Sequence, residues 1–350
     1  MELLLACRAG FEKEVAAEIT DLAAQFAVQG FVKAQEGEGF ARFVCFEPEQ
    51  LQQLIRKLDF NDLIFIRQWC MTAGLQEDLP QGDRVAPLLK TALELPAASA
   101  LVVEPLDTNE GKSLGGLGRS IARHLQRDLQ AKGHWQNKSP WQLQLVFLSG
   151  TSAFVGVSPI ANSAQWPGGV VRLRVPRAAP SRATLKLEEA WHHFIPRSQW
   201  DERLRGGMRA VDLGAAPGGW TWQLVNKSIW VDAVDNGPMD PELMDSGLVK
   251  HHQLDGFRYQ PAKPVDWLVC DIADKPARVA AMIGLWGANQ WFREAIFNLK
   301  LPMKQRYLAV QECRQRIETT LAEAGVERVS LRFKQLYHDR EEVTGHLRLR

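Results

Sequence analysis

The stretch Val211-Asp212-Leu213-Gly214-Ala215-Ala216-Pro217-Gly218-Gly219-Trp220 carries the strongest chemical signal in the chain. An apolar strand pattern ends in a turn of small residues, and a helix pattern follows. In open α/β sheets, ligands bind beyond the carboxyl ends of the strands. Gly214, Gly218 and Gly219 permit close backbone approach, and a helix start offers free N–H donors. Asp235 falls at the end of the next strand pattern, where a carboxylate suits the two hydroxyls of a ribose. Asp255 ends the third and suits an adenine amino group. The spacing therefore points to an adenosine-containing cofactor.

Two common alternatives are disfavoured. NAD sites use GxGxxG, and the turn here reads GAAPGG. Gly111-Lys112-Ser113 has the tail of a Walker loop, but Leu106 stands where its first glycine belongs.

The DLGAAPGGW run resembles the S-adenosylmethionine loop of Rossmann-like methyltransferases, and its proline and double glycine are typical of the FtsJ-like ribose 2′-O-methyltransferases. The resemblance implies S-adenosyl-L-methionine as cofactor, with Ser181, Gly214, Ala216, Pro217, Gly218, Gly219, Asp235, Asp255 and Asp271 around it. It also implies a Lys-Asp-Lys-Glu tetrad. Ser181-Arg182-Ala183-Thr184-Leu185-Lys186-Leu187 is similar to that group's SRxxxKL element and supplies Lys186. Cys270-Asp271-Ile272 supplies Asp271, and Asn298-Leu299-Lys300-Leu301-Pro302 supplies Lys300. Arg340-Glu341-Glu342-Val343, just before the last strand, supplies Glu342, with Glu341 as its rival.

These residue types suit methylation of a hydroxyl. A ribose hydroxyl is a poor nucleophile, so a base must take its proton as it attacks. A sulfonium methyl is already activated and needs no metal. Lys300 is the expected base, Lys186 the group that positions the hydroxyl and depresses the pKa of Lys300, and Asp271 and Glu342 the groups that orient the amines. A lysine acts as base when neutral, against a reference pKa of ~10.4. A second lysine and burial lower that value, and carboxylates raise it.

The elements that must hold these residues fall into zones. Residues 1–60 read as a β-α-β-α unit: strand Leu3–Cys7, helix Phe11–Phe26, strand Phe40–Phe46 and a helix from Pro48 to Leu58. Residues 61–160 show strands Leu63–Cys70 and Leu101–Leu106, a glycine-rich turn and helix over Gly111–Lys132, and a hairpin Trp141–Leu148/Ala153–Val157. Residues 161–180, rich in proline, glycine and arginine, read as a linker. From 181 to 350 strand and helix patterns alternate, from Ala210–Leu213 through Arg328–Leu336 to Gly345–Leu349. Alternation implies a mostly parallel sheet with helices on both faces.

Arg119, Arg123 and Arg127 share one face of the helix that follows Gly115-Gly116-Leu117-Gly118. A basic stripe at such a helix suits phosphates, and Arg172, Arg174, Arg177 and Arg182 extend the track toward the tetrad. The first two zones resemble the ferredoxin-like plus THUMP arrangement of RNA-modifying enzymes, through Leu4-Leu5-Ala6-Cys7-Arg8-Ala9-Gly10-Phe11-Glu12. With all motifs in order, the chain resembles the RlmM family along its whole length. That resemblance implies methylation of a cytidine 2′-hydroxyl in large-subunit ribosomal RNA, as naked RNA or an assembly particle.

Composition fits this class. The chain has 350 residues, 45% hydrophobic and 24% charged, in the range of a globular protein of two or three domains. The net charge of +1 leaves nucleic-acid binding to local patterning. Five scattered cysteines without CxxC disfavour disulfides and structural zinc. Arg8, Glu12, Lys13 and Glu14 interrupt the apolar start, so neither a signal peptide nor a membrane span is read. A cytoplasmic, metal-free monomer is expected. The pairs His192-His193 and His251-His252, read as strand residues facing opposite ways, lack a third ligand. Three rival readings stay open: an RNA base methyltransferase, an inert RNA-binding assembly factor and a small-molecule O-methyltransferase. Against the first, Asp271-Ile272-Ala273-Asp274 lacks the paired prolines of amino-group methylases, and Cys270 follows a valine instead of a proline.

Overall fold

The computed structural model describes residues 1–327 and 329–349. The chain divides into two compact units, Met1–Val170 and Val171–Arg350.

The first unit contains β1 (Glu2–Ala6), α1 (Glu12–Gln25), β2 (Gly30–Ala34), β3 (Phe40–Cys45), α2 (Pro48–Lys57), β4 (Gln68–Gln76), α3 (Val85–Leu93), β5 (Ala100–Val103), α4 (Asn109–Ser113), α5 (Gly115–Ala131), β6 (Trp141–Phe147) and β7 (Ala153–Pro159). Its sheet runs β2-β3-β1-β4-β7-β6-β5. Neighbours are antiparallel except β5, which lies parallel to β6. The zones 1–60 and 61–160 thus share one ladder, joined where Leu4 of β1 faces Cys70 of β4. Helix α2 begins with Pro48 in its first turn, ends with Arg56 and Lys57, and buries Leu51, Leu54 and Ile55. Proline at the start and cations at the end suit the helix dipole.

Several expectations shift here. The strand expected at Leu63–Cys70 begins five residues later, as β4. The backbone N–H groups of Ile64 and Phe65 go to the Glu18 carboxylate of α1 instead of a strand partner. Strand β2 and helix α3 were not anticipated. Two of the five β2 residues are half-buried and three exposed, so the strand lacks an apolar signal. Helix α3 starts where the Asp83 carboxylate accepts the Val85 and Ala86 N–H groups. Part of the expected linker is docked on this unit: Gly168 N–H donates to Glu104, and a Cβ at Gly169 would strike the Arg67 carbonyl.

The second unit contains α6 (Thr184–Phe194), α7 (Trp200–Arg203), β8 (Arg209–Leu213), α8 (Gly219–Asn226), β9 (Trp230–Val234), α9 (Pro241–Met244), β10 (Val249–His252), β11 (Val265–Cys270), α10 (Pro276–Ala288), β12 (Phe292–Lys300), α11 (Arg306–Glu323), β13 (Val329–Lys334) and β14 (Glu342–Leu349). Its sheet runs β10-β9-β8-β11-β12-β14-β13. The first five strands are mutually parallel, and β14 runs antiparallel to both β12 and β13. This is the Rossmann-like arrangement expected from alternation. Parallel strands are covered on both faces and read as continuous apolar runs. Val211, Leu213, Leu268, Val269, Ile296 and Phe297 are all fully buried.

Two corrections concern this unit. His192 and His193 lie on α6, a helix left unassigned above, and not on a strand. Glu342 is the first residue of β14, which starts three residues before the expected Gly345. Of the strand expected at Arg328–Leu336, Arg328 lies outside the described residues.

Candidate active site

Strands β8, β9, β11 and β12 point their carboxyl ends the same way, so the residues that follow them gather at one edge. The turn after β8 is built for close approach. Gly214 and Gly218 have φ of +80° and +120°, in the region that favours glycine. A Cβ on Gly214 would lie 3.0 Å from Ile272, and one on Gly219 would strike Ser181 Oγ. Asp235, just past β9, ties the turn down. Its Oδ2 accepts the Ala216 N–H at 3.1 Å and its Oδ1 the Gly237 N–H at 2.7 Å. Each oxygen keeps a further lone pair for a ligand. Asp255 lies three residues past β10 and accepts the Phe257 N–H at 2.9 Å. The adjoining Gly256 packs on Leu213 and Ile272, which brings this turn against the end of β8.

The four tetrad positions come from α6, the end of β11, the end of β12 and the start of β14. Lys186 Nζ donates to Glu342 Oε2 and lies 3.6 Å from Asp271 Oδ1. Asp271 Oδ1 also accepts from Asn298 Nδ2 at 2.8 Å. Lys300 is the Cα partner of Glu342 across the β12–β14 ladder. Its side chain is exposed and makes no hydrogen bond or ion pair with the described residues. Glu341 turns away: its carboxylate meets Arg306 at 2.7 Å and its carbonyl accepts the Leu301 N–H. Neighbouring residues of a strand face opposite ways, so Glu342 joins Lys186 and Glu341 does not.

Burial works against the charge on Lys186, but Asp271, Glu342 and Asp339 outweigh it and hold the amine's pKa above its ordinary value. Lys186 is a fixed cation at neutral pH. Burial raises the Asp271 carboxyl, Lys186 and Asn298 pull it back, and Glu342 adds to the rise. Asp212, fully buried in β8, is pushed up to about 7 mainly by burial, although Thr221 Oγ1 donates to it at 2.6 Å.

Residues 1–70 match the RlmM ferredoxin-like domain, 83–159 the N-terminal region of ribosomal RNA large subunit methyltransferase M, and 179–315 the FtsJ-like methyltransferases. The ribosomal RNA large subunit methyltransferase M of Cellvibrio japonicus is 58% identical over 99% of this chain and 99% of its own length. That of Teredinibacter turnerae is 57% identical over the whole of both chains, and that of Saccharophagus degradans 54% over 99% of each. The chain belongs to the ribosomal RNA large subunit methyltransferase M family. It is a methyltransferase.

Within this methyltransferase, Cys270 is fully buried and its thiol is pushed up to about 12 by burial, so it is no nucleophile. His252 is engaged with Asp232 at 2.8 Å and His251 with the Asp235 carbonyl. Among the described residues no group of three or more His, Cys, Asp or Glu is placed to hold a metal, and no helix is long and apolar enough to cross a membrane. In the first unit Arg119, Arg123 and Arg127 form the exposed face of α5, opposite buried Ile121, Leu125 and Leu129. In the second, Arg172, Arg174, Arg177 and Arg182 are exposed along the irregular segment before α6.

Sequence reasoning missed the residues behind the tetrad. Glu189, one turn after Lys186 on α6, accepts the Tyr337 and His338 N–H groups at 2.8 and 3.0 Å and so anchors the β13–β14 loop. Asn298 and Thr344 support Asp271 from two strands. Only for Asn298 was a signal present: two residues before Lys300 on a strand, it shares that residue's face.

Proposed function

We propose that this chain transfers the methyl group of S-adenosylmethionine to the ribose 2′-hydroxyl of a cytidine in large-subunit ribosomal RNA, with Lys300 as the base. Ser181, the Gly214–Gly219 turn, Asp235 and Asp255 would hold the cofactor. The fit rests on two observations. Ser181 Oγ is buried without a hydrogen-bond partner among the described residues. Beside it, the glycine turn keeps clear the room that side chains would fill. When bound, the cofactor supplies an electrophilic methyl on a sulfonium.

The observation that carries the choice of base is the ion-pair cluster of Lys186, Asp271 and Glu342. It keeps Lys186 charged, and a charged amine cannot accept a proton. Lys186 instead suits the oxygen of the attacking hydroxyl, as a cation pointed at developing negative charge. Lys300, opposite Glu342 and open to solvent, is the tetrad amine outside that cluster, and as base it would act in its neutral form, taking the hydroxyl proton and passing it to water. The names of the relatives and the exposed arginines of both units support RNA as the substrate.

The test uses labelled S-adenosylmethionine, total RNA from cells lacking the gene, and nucleoside analysis by mass spectrometry. Label appears in 2′-O-methylcytidine with wild type, and Lys300→Ala loses at least about 100-fold in rate. Label on a base would overturn the reading, and so would a Lys300→Ala variant with full rate. If free RNA is silent, ribosomal particles are tested. Cofactor binding without turnover on either would favour an inert assembly factor.

A further inference from the structure

Behind Asp271 lies a chain of short polar contacts leading away from the tetrad. Asn298 Nδ2 is 2.8 Å from Asp271 Oδ1, Thr344 Oγ1 is 2.8 Å from Asn298 Oδ1, and the same Thr344 Oγ1 is 2.9 Å from Asp339 Oδ2. Asn298, Thr344 and Asp339 are at most 2% exposed. Each contact at such a distance needs a hydrogen between its heavy atoms.

The hydrogens can be counted. A threonine hydroxyl has one. In the orientation observed, the Asn298 amide group serves Asp271 and its carbonyl takes the Thr344 hydrogen. The contact between Thr344 and Asp339 is then bridged if Asp339 carries a hydrogen. With the amide turned over, Thr344 would serve Asp339, and the Asn298 carbonyl would face Asp271, which must then be protonated. In either orientation the chain holds one carboxyl proton. The surroundings choose the end. Asp271 sits beside the Lys186 cation, whereas Asp339 is fully buried.

We propose that Asp339 is a neutral carboxylic acid in the resting enzyme, and that Asp339, Thr344 and Asn298 are positioning residues that aim three successive donors at Asp271. The alignment Asp339 to Thr344 to Asn298 to Asp271 stabilises negative charge at the Asp271 end, next to Lys186. It also leaves Lys186 facing two charged carboxylates instead of three. The groups around Asp339 agree. Burial raises its carboxyl well above the ordinary range; the Leu336 N–H and Lys186 oppose the rise, and Glu189 and Glu342 add to it. His338, which contacts Glu189 at 2.6 Å, faces the same cluster.

The protonation state does not depend on the methyl-transfer reading, but the kinetic role does, so the two are measured separately. Carbon-13 carboxyl NMR of aspartate-labelled protein at neutral pH should show a protonated carboxyl that disappears in Asp339→Asn and persists in Asp271→Asn. No such resonance, or one that disappears with Asp271→Asn alone, would overturn the proposal. In kinetics, Thr344→Val should lower kcat about tenfold with the KM for cofactor unchanged, and Thr344→Ser should restore it. Wild-type kcat in Thr344→Val would overturn the positioning role. If that variant does not fold, Thr344→Ser and the NMR arms still decide.

Discussion

In the first unit Arg67 and Asp107 meet at 2.8 Å, with Lys112 on the other Asp107 oxygen. Nearby, Glu104 accepts from Gln68 at 2.8 Å and from Gly168. In the second unit Lys186 meets Asp271 and Glu342. Both groups bury unlike charges, yet they differ in what they leave open. Arg67 is 2% exposed and Glu104 3%, and Asp107 keeps 14% of its side chain accessible; of this group Lys112 alone, on α4, reaches solvent. Lys186, Asp271 and Glu342 keep 16–24% of their side chains accessible, at the edge where parallel strands end, beside an exposed Lys300. A sealed pair secures a fold, whereas an open pair at strand ends can meet a substrate. The parallel sheet gathers strand ends at one edge, and the antiparallel sheet scatters them to both.

Lys186→Met tests this contrast most severely. It leaves two carboxylates without their cation and removes the charge aimed at the reacting oxygen. A fall of about 1000-fold in single-turnover methyl transfer is expected, in line with losing a preorganised electrostatic group. If the variant were merely less stable and reacted normally, the second cluster would be structural like the first.

Arg67→Ala should act the opposite way. Removing one partner of a sealed pair costs about 3 kcal/mol of stability, read by urea unfolding followed in the first unit. Normal stability with lost RNA binding would instead make that cluster functional.

The smallest effect belongs to Glu104, whose carboxyl burial pushes up to about 7 against the Gly168 and Gln68 hydrogen bonds. Its folded state keeps a proton that the unfolded chain releases at the ordinary carboxylate pKa. Stability therefore falls as pH rises from the ordinary pKa toward about 7, and the loss is complete above that. Glu104→Gln should flatten this slope in a pH series of urea midpoints. An unchanged slope would show that Glu104 is ionised throughout.

Most of the second unit was legible in the sequence, because its strands are buried on both faces and stand out as apolar runs between helices. The cofactor turn was legible for a different reason: positive φ at Gly214 and Gly218 needs glycine itself, so the residue type carries the geometry. What escaped was α6, since Lys186, Glu188, Glu189 and two histidines interrupt its apolar residues. In the first unit β4 was misplaced. Apolar Leu63–Ile66 looks like strand, yet the Glu18 carboxylate captures the N–H groups of Ile64 and Phe65, and no local pattern reveals a partner about 46 residues away.

The sequence by itself determined which residue types stand at the strand ends and in the turn between β8 and α8, because burial and backbone sterics restrict what those places accept. It also ordered Lys186, Asp271, Lys300 and Glu342 along the chain. The tertiary structure alone decided that Glu342 and not Glu341 meets Lys186, that Lys186 is the buried cation and Lys300 the open amine, and that Asn298, Thr344 and Asp339 stand behind Asp271. Those outcomes depend on the register of β14 against β12 and on the packing of α6 beside them. Charge and proton balance follow distance and burial, and these exist only once distant segments have met.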